Sequence, residues 1–407
     1  MTRRSIISSL FLLVGLATMT AQDFDPNLFP GYRKKMKKGR KAEISVEQPC
    51  REAADSIRQV SDSTASGDSI LPVQGARTIN FNILLPIGIE GHKVRATNLD
   101  FYSGALMAVK TLAEEGINVK LNVSDYADNG LIDIESDYII GPIRSRHIET
   151  ALAALDSTQL LVSPLDPGAE KLLGANSNLV QAPSSILAQW KESISWALEN
   201  DPYKLDNYIL IHGHEDSVEV AFCDSLLLAA GASCSKCICN VQGEIEGWTG
   251  AFSEFRRNKV ILLSNNEAIL NNAVRNLGIA KGELEVYGGT QLYSYDSIPI
   301  ETLHQIQARI VCPSYIDYED ESTQNFVHAY RALYHSSPTQ YAFHGYDICL
   351  FMGRSYAEYG KQWRRRISSR QTMKLLQSNF RLEEHGGLVN YGMRRLKYGK
   401  DYSISLE

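Results

Sequence analysis

The chain has 407 residues, of which 44% are hydrophobic and 22% charged, the proportions of an ordinary globular protein. That length exceeds what one hydrophobic core usually sustains, so two domains or lobes are expected. A formal net charge of −6 argues against nucleic acid as the main partner, because such proteins usually carry a basic excess.

Residues 1–21 read as a secretory signal peptide. Arg3 and Arg4 precede a short apolar run, which closes on the small residues Thr20 and Ala21. The run is short for a bilayer span, which weighs against an uncleaved anchor. No Cys follows the expected cut, so a lipid-anchored mature terminus is not supported, and no later segment is apolar enough to cross a bilayer. The expected mature product is periplasmic or secreted. Residues 22–75 do not read as core: "YRKKMKKGRK" packs seven basic residues into positions 33–41, and "SDSTASGDS" has linker composition. The basic run suits anionic lipid or cell-wall polymer, and equally a solvated tail. "CREAADSIRQVSDS" is expected to form a short helix between them.

From residue 76 strands and helices alternate. "TINFNILLPIG" is a buried strand entering a Pro-Gly turn. In "NLDFYSGALMAVKTLAEEG", Phe101, Ala105, Ala108, Val109 and Leu112 recur at helical spacing, and the small residues among them let a helix lie close on a sheet. Gly116 stops that helix, and "INVKLNV" alternates as a strand should, ending in polar "SDYADN". "SDYIIGPI" is a strand closing on Gly141-Pro142, "HIETALAALDS" a helix, "QLLVSPLD" a fourth strand, and "NLVQAPS" a short strand leading away. "SSILAQWKESISWALEN" puts Ile186, Trp190, Ile194 and Ala197 on one helix face. "NYILIHG", "CSKCICNV", "KVILLSN" and "ELEVYGGT" then follow as four more strands separated by helices.

Strands alternating with helices of this length mean parallel sheets with right-handed crossovers. Two sets of four, broken near residues 183–189, predict an α/β fold of two doubly wound, Rossmann-like lobes. The remainder, from "ARIVCPSYIDYED" to "GGLVNYGMRRLKYGKDYSISLE", is too short for a third domain and is expected to return to the first two. The expected division is lobe I at 76–183 plus about 313–385, and lobe II at 184–312 plus about 386–407.

In order, "FNILLPIG", "LDFYSGALMAVKTLAEEGINVKLNVSDYADN", "DYIIGPIRSR" and "LLVSPLD" resemble the type I periplasmic binding proteins, the leucine-binding type most of all. "CPSYIDYED…FVHAYRALYHSSPTQYAFHGYD" is similar to the segment by which those proteins return to the first lobe. The combination looks most like envelope proteins that pair this fold with LysM peptidoglycan-binding repeats. The resemblance covers residues 78–407 and lies in ordered blocks rather than in one motif. It implies two lobes on a three-stranded hinge closing on a ligand, with relatives that serve transport, sensing or regulation of cell-wall synthesis. This chain departs from the pattern in three places. The crossover after "DYADNG" is too short for a full helix, no LysM-like repeat precedes the fold, and Asp166 of "SPLD" stands about where amino-acid binders present hydroxyls to a ligand carboxylate. Two facing carboxylates repel, so a free amino acid is a poor fit.

Several candidates for ligand contact follow strand ends, where open α/β sheets bind. Arg144, Ser145 and Arg146 precede a helix. Ser145 reads as its N-cap, and the guanidinium groups with free amides suit an anion; alternatively Ser145 only caps and the arginines face solvent. Ser163 and Asp166 follow the fourth strand, Asp166 either accepting from a ligand or capping the helix near Pro167. In "IHGHEDSVEV", His212, His214, Glu215 and Asp216 hint at a ligand contact or a metal, or simply complement a helix N-terminus. Trp248 and Tyr293 can stack on a sugar or pack in the core. Asp347 in "HGYDICLF" reads as a cap at a helix start.

The seven cysteines are an odd number, so at least one thiol is unpaired within the chain. "SCSKCICN" lacks the second Cys pair of a Cys₄ zinc site. Cys223, Cys237 and Cys239 read as buried small hydrophobes, with a disulfide as the alternative. No Gly-x-Ser-x-Gly elbow, His-Glu-x-x-His or phosphate-binding Gly-rich loop is present, so no cofactor and no enzymatic role are expected. The expectation is a non-enzymatic binding protein for a small polar or anionic ligand or a peptidoglycan fragment. The alternative is an envelope scaffold or regulator of cell-wall synthesis that keeps the fold without small-molecule transport and meets an envelope protein partner.

Overall fold

The computed structural model describes residues 78–86, 95–124, 136–156, 158–199, 201–360, 363–369 and 371–407. The expected signal peptide, the basic segment with its short helix, Cys50, the turn at Gly88 and the shortened crossover after "DYADNG" lie outside these residues.

The first lobe opens with β1 (Ile79–Leu84), α1 (Ala96–Glu114), β2 (Val119–Ser124), β3 (Tyr138–Ile140), α2 (Ser145–Leu152) and β4 (Leu160–Ser163). A 3₁₀ turn at Pro167–Ala169, α3 (Glu170–Leu173) and β5 (Leu179–Gln181) complete this pass. The chain then enters the second lobe through α4 (Ile186–Glu199), β6 (Asn207–His212), α5 (Ser217–Ala229), β7 (Cys234–Cys239), β8 (Ile245–Glu246) and β9 (Asn258–Leu262). It continues there through α6 (Glu267–Gly278), β10 (Leu284–Gly288), α7 (Gln291–Ser294), α8 (Ile300–Gln305) and β11 (Ala308–Cys312). After β11 it returns to the first lobe with α9 (Glu321–Tyr334), α10 (Gln340–Tyr359), α11 (Trp363–Arg366), β12 (Met373–Lys374), β13 (Asn379–Phe380), β14 (Leu382–His385) and β15 (Gly387–Asn390). Last come β16 (Arg394–Tyr398) and β17 (Ile404–Leu406), in the second lobe.

Among the described residues, the first sheet has the order β2-β1-β3-β4-β5-β15-β14, parallel except for β14. The second is β8-β7-β6-β9-β10-β11-β16-β17, parallel from β7 to β11 and antiparallel beyond. Both are thus larger than the two sets of four strands expected. "NLVQ" joins the first sheet as a parallel strand, and "ARIVC" joins the second. Helices cover both faces of each sheet, so alternate strand residues serve two cores. Phe81, Ile83, Tyr138 and Ile140 pack under α1 and α10, while Leu84, Ile139 and Leu161 pack on the opposite face with Ile148 of α2. In the second sheet Ile209, Ile211, Val260 and Leu262 serve one core, and Tyr208, Leu210 and Ile261 the other, beneath Trp190 and Ile194 of α4.

The small-residue face of α1 meets α10 at backbone distance. A Cβ at Gly345 would stand 2.0 Å from the Phe101 carbonyl oxygen, and one at Gly104 would stand 1.8 Å from that of Ala342. Gly353 lies against Leu112 and Arg354 pairs with Glu115, so the two helices run side by side in the same direction.

Among the described residues the chain passes between lobes three times, at 182–185, 313–320 and 391–393. β15 stays in the first sheet, so the last passage follows Asn390, beyond the division expected at 386. The crossing segments are bonded to one another and to the adjoining strands: Ser184 Oγ donates to the Gly392 carbonyl, Asn390 Nδ2 at the end of β15 to that of Ala182, and Asn379 Nδ2 of β13 to that of Met393. Asp347 belongs to this region rather than to a helix start. It sits inside α10, fully buried, where its carboxylate accepts the amides of Leu376, Gln377 and Ser378 at 2.8–3.0 Å. Tyr315, on the second passage, in turn donates its amide to the Gln377 carbonyl.

Candidate ligand-binding site

Two of the crossings leave the carboxyl ends of β5 and β11, and the third joins the carboxyl end of β15 to β16, whose start lies beside the end of β11. The two sheets therefore address each other by their carboxyl edges. In the first sheet the strand order reverses between β1 and β3, and such switch points open a crevice at the strand ends. A cavity of about 360 Å³ lies there, lined by Arg95, Thr97, Asn98, Ile143, Leu165, Gln340, Tyr341 and His344. That volume is at the small end of the range for ligand sites.

Because α1 and α10 run in parallel, both N-termini reach this cavity. Asn98 is anchored by donating Nδ2 to the Pro86 carbonyl at 2.8 Å, which ties the first turn of α1 to the exit of β1. Thr339 caps α10 by accepting the Tyr341 amide, and its hydroxyl donates to Asp100 at 2.7 Å. Burial raises the pKa of Asp100, against the opposing bonds from Thr339 and Tyr330. The start of α1 is different: Arg95 occupies the N-cap position, and among the described residues no side chain caps it and no acid stands in the first turn. The positive end of a long helix and an exposed guanidinium are thus left together beside the cavity. His344 keeps part of its surface exposed, yet desolvation by the surrounding chain lowers its pKa to about 4. Its ring is therefore neutral at pH 7, offering one donor and one acceptor. With Ile143 and Leu165 as apolar wall, the set suits a small polar ligand carrying one anionic group.

The residues singled out from sequence lie close by but are engaged otherwise. Ser145 does not cap α2; Arg144 holds the N-cap position and Ser145 is the first helical residue. The Ser145 amide donates to Asp166 Oδ2 at 2.7 Å, its hydroxyl donates to the same oxygen, and Gly168 donates its amide to Oδ1 at 2.8 Å. A carboxylate of the chain itself therefore fills the anion position at the start of α2. Desolvation opposes ionisation of Asp166, but the Ser145 and Gly168 bonds outweigh it and hold its pKa below the usual carboxylate value. Ser163 is buried, and its hydroxyl donates to the Asp166 carbonyl at 3.4 Å. Arg144 and Arg146 are exposed, the latter donating Nε to His147.

His214 and Glu215 are exposed at the end of β6 and make no hydrogen bond or ion pair among the described residues. His212 and Asp216 are tied locally instead: His212 Nδ1 meets the Gly213 carbonyl, and Asp216 accepts the Gly213 amide. No group of three metal-ligating side chains occurs among the described residues. β8 turns back antiparallel to β7, so the chain reaches Trp248 on its way from the carboxyl edge, where the ring packs on Phe252 at 4.5 Å between centroids. Tyr293 packs edge-on against Tyr315 at the border of the core. Cys223, Cys237 and Cys239 are free and buried among apolar side chains, the first of the roles weighed for them. Sequence reading missed Arg95, Thr97, Asn98, Gln340, Tyr341 and His344. Only one signal was available, an Arg directly before a helix whose first turn has no acid.

No protein-family model matches the chain, and no curated protein does. Solved structures do. A protein assigned to branched-chain amino acid ABC transport from Rhodospirillum rubrum superposes with a TM-score of 0.59 at 14% identity, over 81% of this chain and 100% of that one. A branched-chain amino acid ABC transporter periplasmic ligand-binding protein from Burkholderia xenovorans gives 0.54 at 12% identity, over 81% and 94%. Full-length LpoA from Haemophilus influenzae gives 0.53 at 14% identity, over 82% of this chain and 60% of LpoA. Two sheets joined by three passages, one at each end of the interleaved segments, together with these superpositions give the chain the two-lobed α/β fold of the type I periplasmic binding proteins.

Proposed function

We propose that this protein is a non-enzymatic, ligand-binding protein of the bacterial envelope, which closes its two lobes on a small polar ligand with one anionic group as a receptor for transport or sensing. The cavity at the β1/β3 switch point carries this reading, because it gathers Arg95, the start of α1, uncapped among the described residues, and a neutral His344 around one small volume. The signal-peptide pattern of residues 1–21 supports export. The chain would move as two bodies, the described residues of 78–181 with those of 321–390 against those of 186–312 with 394–407, about the three crossing segments. A ligand that touches both lobes favours the closed arrangement by the contacts it gains there, shifting an existing equilibrium. Thermal shift of the mature protein against organic acids, amino acids, sugars, peptides and muropeptides tests this. A ligand should raise the melting temperature by mass action, and Arg95→Ala should remove the rise. No shift at millimolar concentration from any class sinks the receptor reading.

One observation favours a second reading, an envelope scaffold or cell-wall regulator that keeps the fold without transporting a solute. The start of α2, the anion position expected from sequence, is filled by Asp166. A silent ligand screen combined with capture of peptidoglycan fragments or an envelope protein by residues 22–75 would favour it.

A further inference from the structure

The β12–β13 hairpin belongs to the first lobe, since Met373, Leu375 and Phe380 pack in its core. Its tip, residues 375–378, is nevertheless where the entries to the second lobe attach. On the second passage Tyr315 donates its amide to the Gln377 carbonyl at 2.9 Å, and Ser314 forms an antiparallel bridge with Ser378. Arg394, the first residue of β16, donates Nη2 to the Leu375 carbonyl. The third passage lies so close that a Cβ at Gly392 would stand 2.2 Å from the Asn379 carbonyl oxygen.

Two opposite charges meet at this tip without pairing. Asp347 sits on α10 and travels with the first lobe, whereas Arg394 is in register with Cys312 of β11 and travels with the second. Asp347 is 0% and Arg394 5% exposed. Oδ1 of Asp347 accepts the Leu376 amide and Oδ2 those of Gln377 and Ser378, which leaves acceptor capacity on Oδ1. The Leu375 carbonyl and the Leu376 amide are the two ends of one peptide unit, so a single peptide stands between the guanidinium and the carboxylate. Arg394 has no carboxylate partner among the described residues, and its Nε is buried without a bond. Burial lowers its pKa, although the charges of Asp347, Asp317 and Asp320 favour the cation. The last two acids are committed locally: Asp317 accepts the Glu319 amide, and Asp320 caps α9 on the Thr323 amide. Gln377, 1% exposed, leaves both atoms of its side-chain amide unpartnered among the described residues.

A buried cation without a counter-ion is costly, and buried polar atoms without partners are rare in a core that has only one arrangement. Close to a hinge axis a turn of one body shifts atoms very little, so exchanging one bond for its neighbour is within reach of the movement. We infer that Arg394 is a two-position switch at the hinge: in the arrangement seen here it is joined to Asp347 through the 375–376 peptide, and when the second lobe turns it leaves the Leu375 carbonyl and bonds Asp347 Oδ1 directly. The turned form thereby pairs two charges that the present form holds apart. This inference rests on the two-body movement proposed above and names the side chains that set its balance.

The test measures lobe separation in the full chain by pulsed electron resonance. Nitroxides are attached at Lys110→Cys on α1 and Arg275→Cys on α6, both exposed, with Cys50→Ser, at a pH well above the value to which burial raises Asp347. The remaining cysteines are buried or half-buried, and a chain without the two added thiols gives the background. The parent should show two separations. Arg394→Met should lower the share of the turned form about tenfold, and Asp347→Asn should do the same. The double variant should lose no more than either, because each change removes the same bond, and Arg394→Lys should retain part of the turned form. Circular dichroism melts establish that each variant folds, and Asp347→Asn carries the test if Arg394→Met does not. Two separations whose shares no variant alters overturn the switch and leave the two-body movement standing. Additive losses in the double variant overturn it as well, by giving the two residues separate roles. One separation, the same in parent and variants, overturns both the switch and the movement.

Discussion

Asp166 shows how one side chain decides what a helix end can do. Helix starts carry free amides and partial positive charge, which attract anions from solvent or from the chain. Here the anion comes from a loop 21 residues away. Asp166→Ala should lower stability by about 2 kcal/mol, since it removes charge-assisted bonds to two amides and a hydroxyl. Sulfate should restore part of the lost melting temperature in that variant and leave the parent unmoved. An equal response of both proteins would show that the start of α2 is not the position freed. Asp347 is a second case, with the opposite shift. Burial pushes its pKa up to about 7 from the ordinary 3.8, against the three amide donors and nearby Arg394. A carboxyl raised in the folded state stabilises when protonated, so its contribution is complete below about pH 4 and is lost as pH rises to about 7. Chemical denaturation between those limits should show stability falling with pH by roughly 1 kcal/mol per unit from this group. Asp347→Asn should flatten that dependence; an unchanged slope would reject the assignment.

At the scale of elements, the pairing of α1 with α10 depends on having no side chain at two positions. Gly345→Ala places a methyl on the Phe101 backbone, which cannot turn aside, and should cost about 3 kcal/mol in urea unfolding. Gly353→Ala meets only the Leu112 side chain, which can shift, and should cost clearly less. If the two variants lose the same stability, the close approach of backbones is not what sets the price. In the second sheet Lys259 is fully buried on β9, paired with Asp206 and donating to the Ala197 carbonyl at the end of α4. Lys259→Ala leaves Asp206 without its partner beneath the loop that carries Tyr203. Removing one member of a buried pair typically costs about 3–5 kcal/mol. Circular dichroism melts of this variant should show the larger loss of those discussed here.

At the scale of the molecule, neither lobe is a continuous piece of chain. β16 lies against β11 in the second sheet although the first-lobe segment 321–390 separates them. Expressed alone, residues 186–312 would lack β16 and β17 and expose the β11 edge with Ile310, Val311 and Cys312, all buried in the whole protein. This fragment should aggregate or remain unfolded by circular dichroism, and adding residues 391–407 through a linker should restore a cooperative melt. A fragment that melts cooperatively without them would show that the crossings are dispensable to the lobe.

Periodicity made the elements legible in the sequence. Phe101, Ala105, Ala108, Val109 and Leu112 are all buried on α1, and the alternating strands bury both faces, because local spacing alone dictates which side chains share a face. The two-lobed class followed from the order of strands and helices for the same reason. The site did not follow. Arg95 and His344 line one cavity only because sheet order brings the end of β1 beside β3 and α10 lies parallel to α1, and Asp166 reaches Ser145 only across two loops. Burial patterns are fixed within a few residues of chain, whereas the convergence of charged groups depends on contacts between distant segments, which exist only once the tertiary fold has formed.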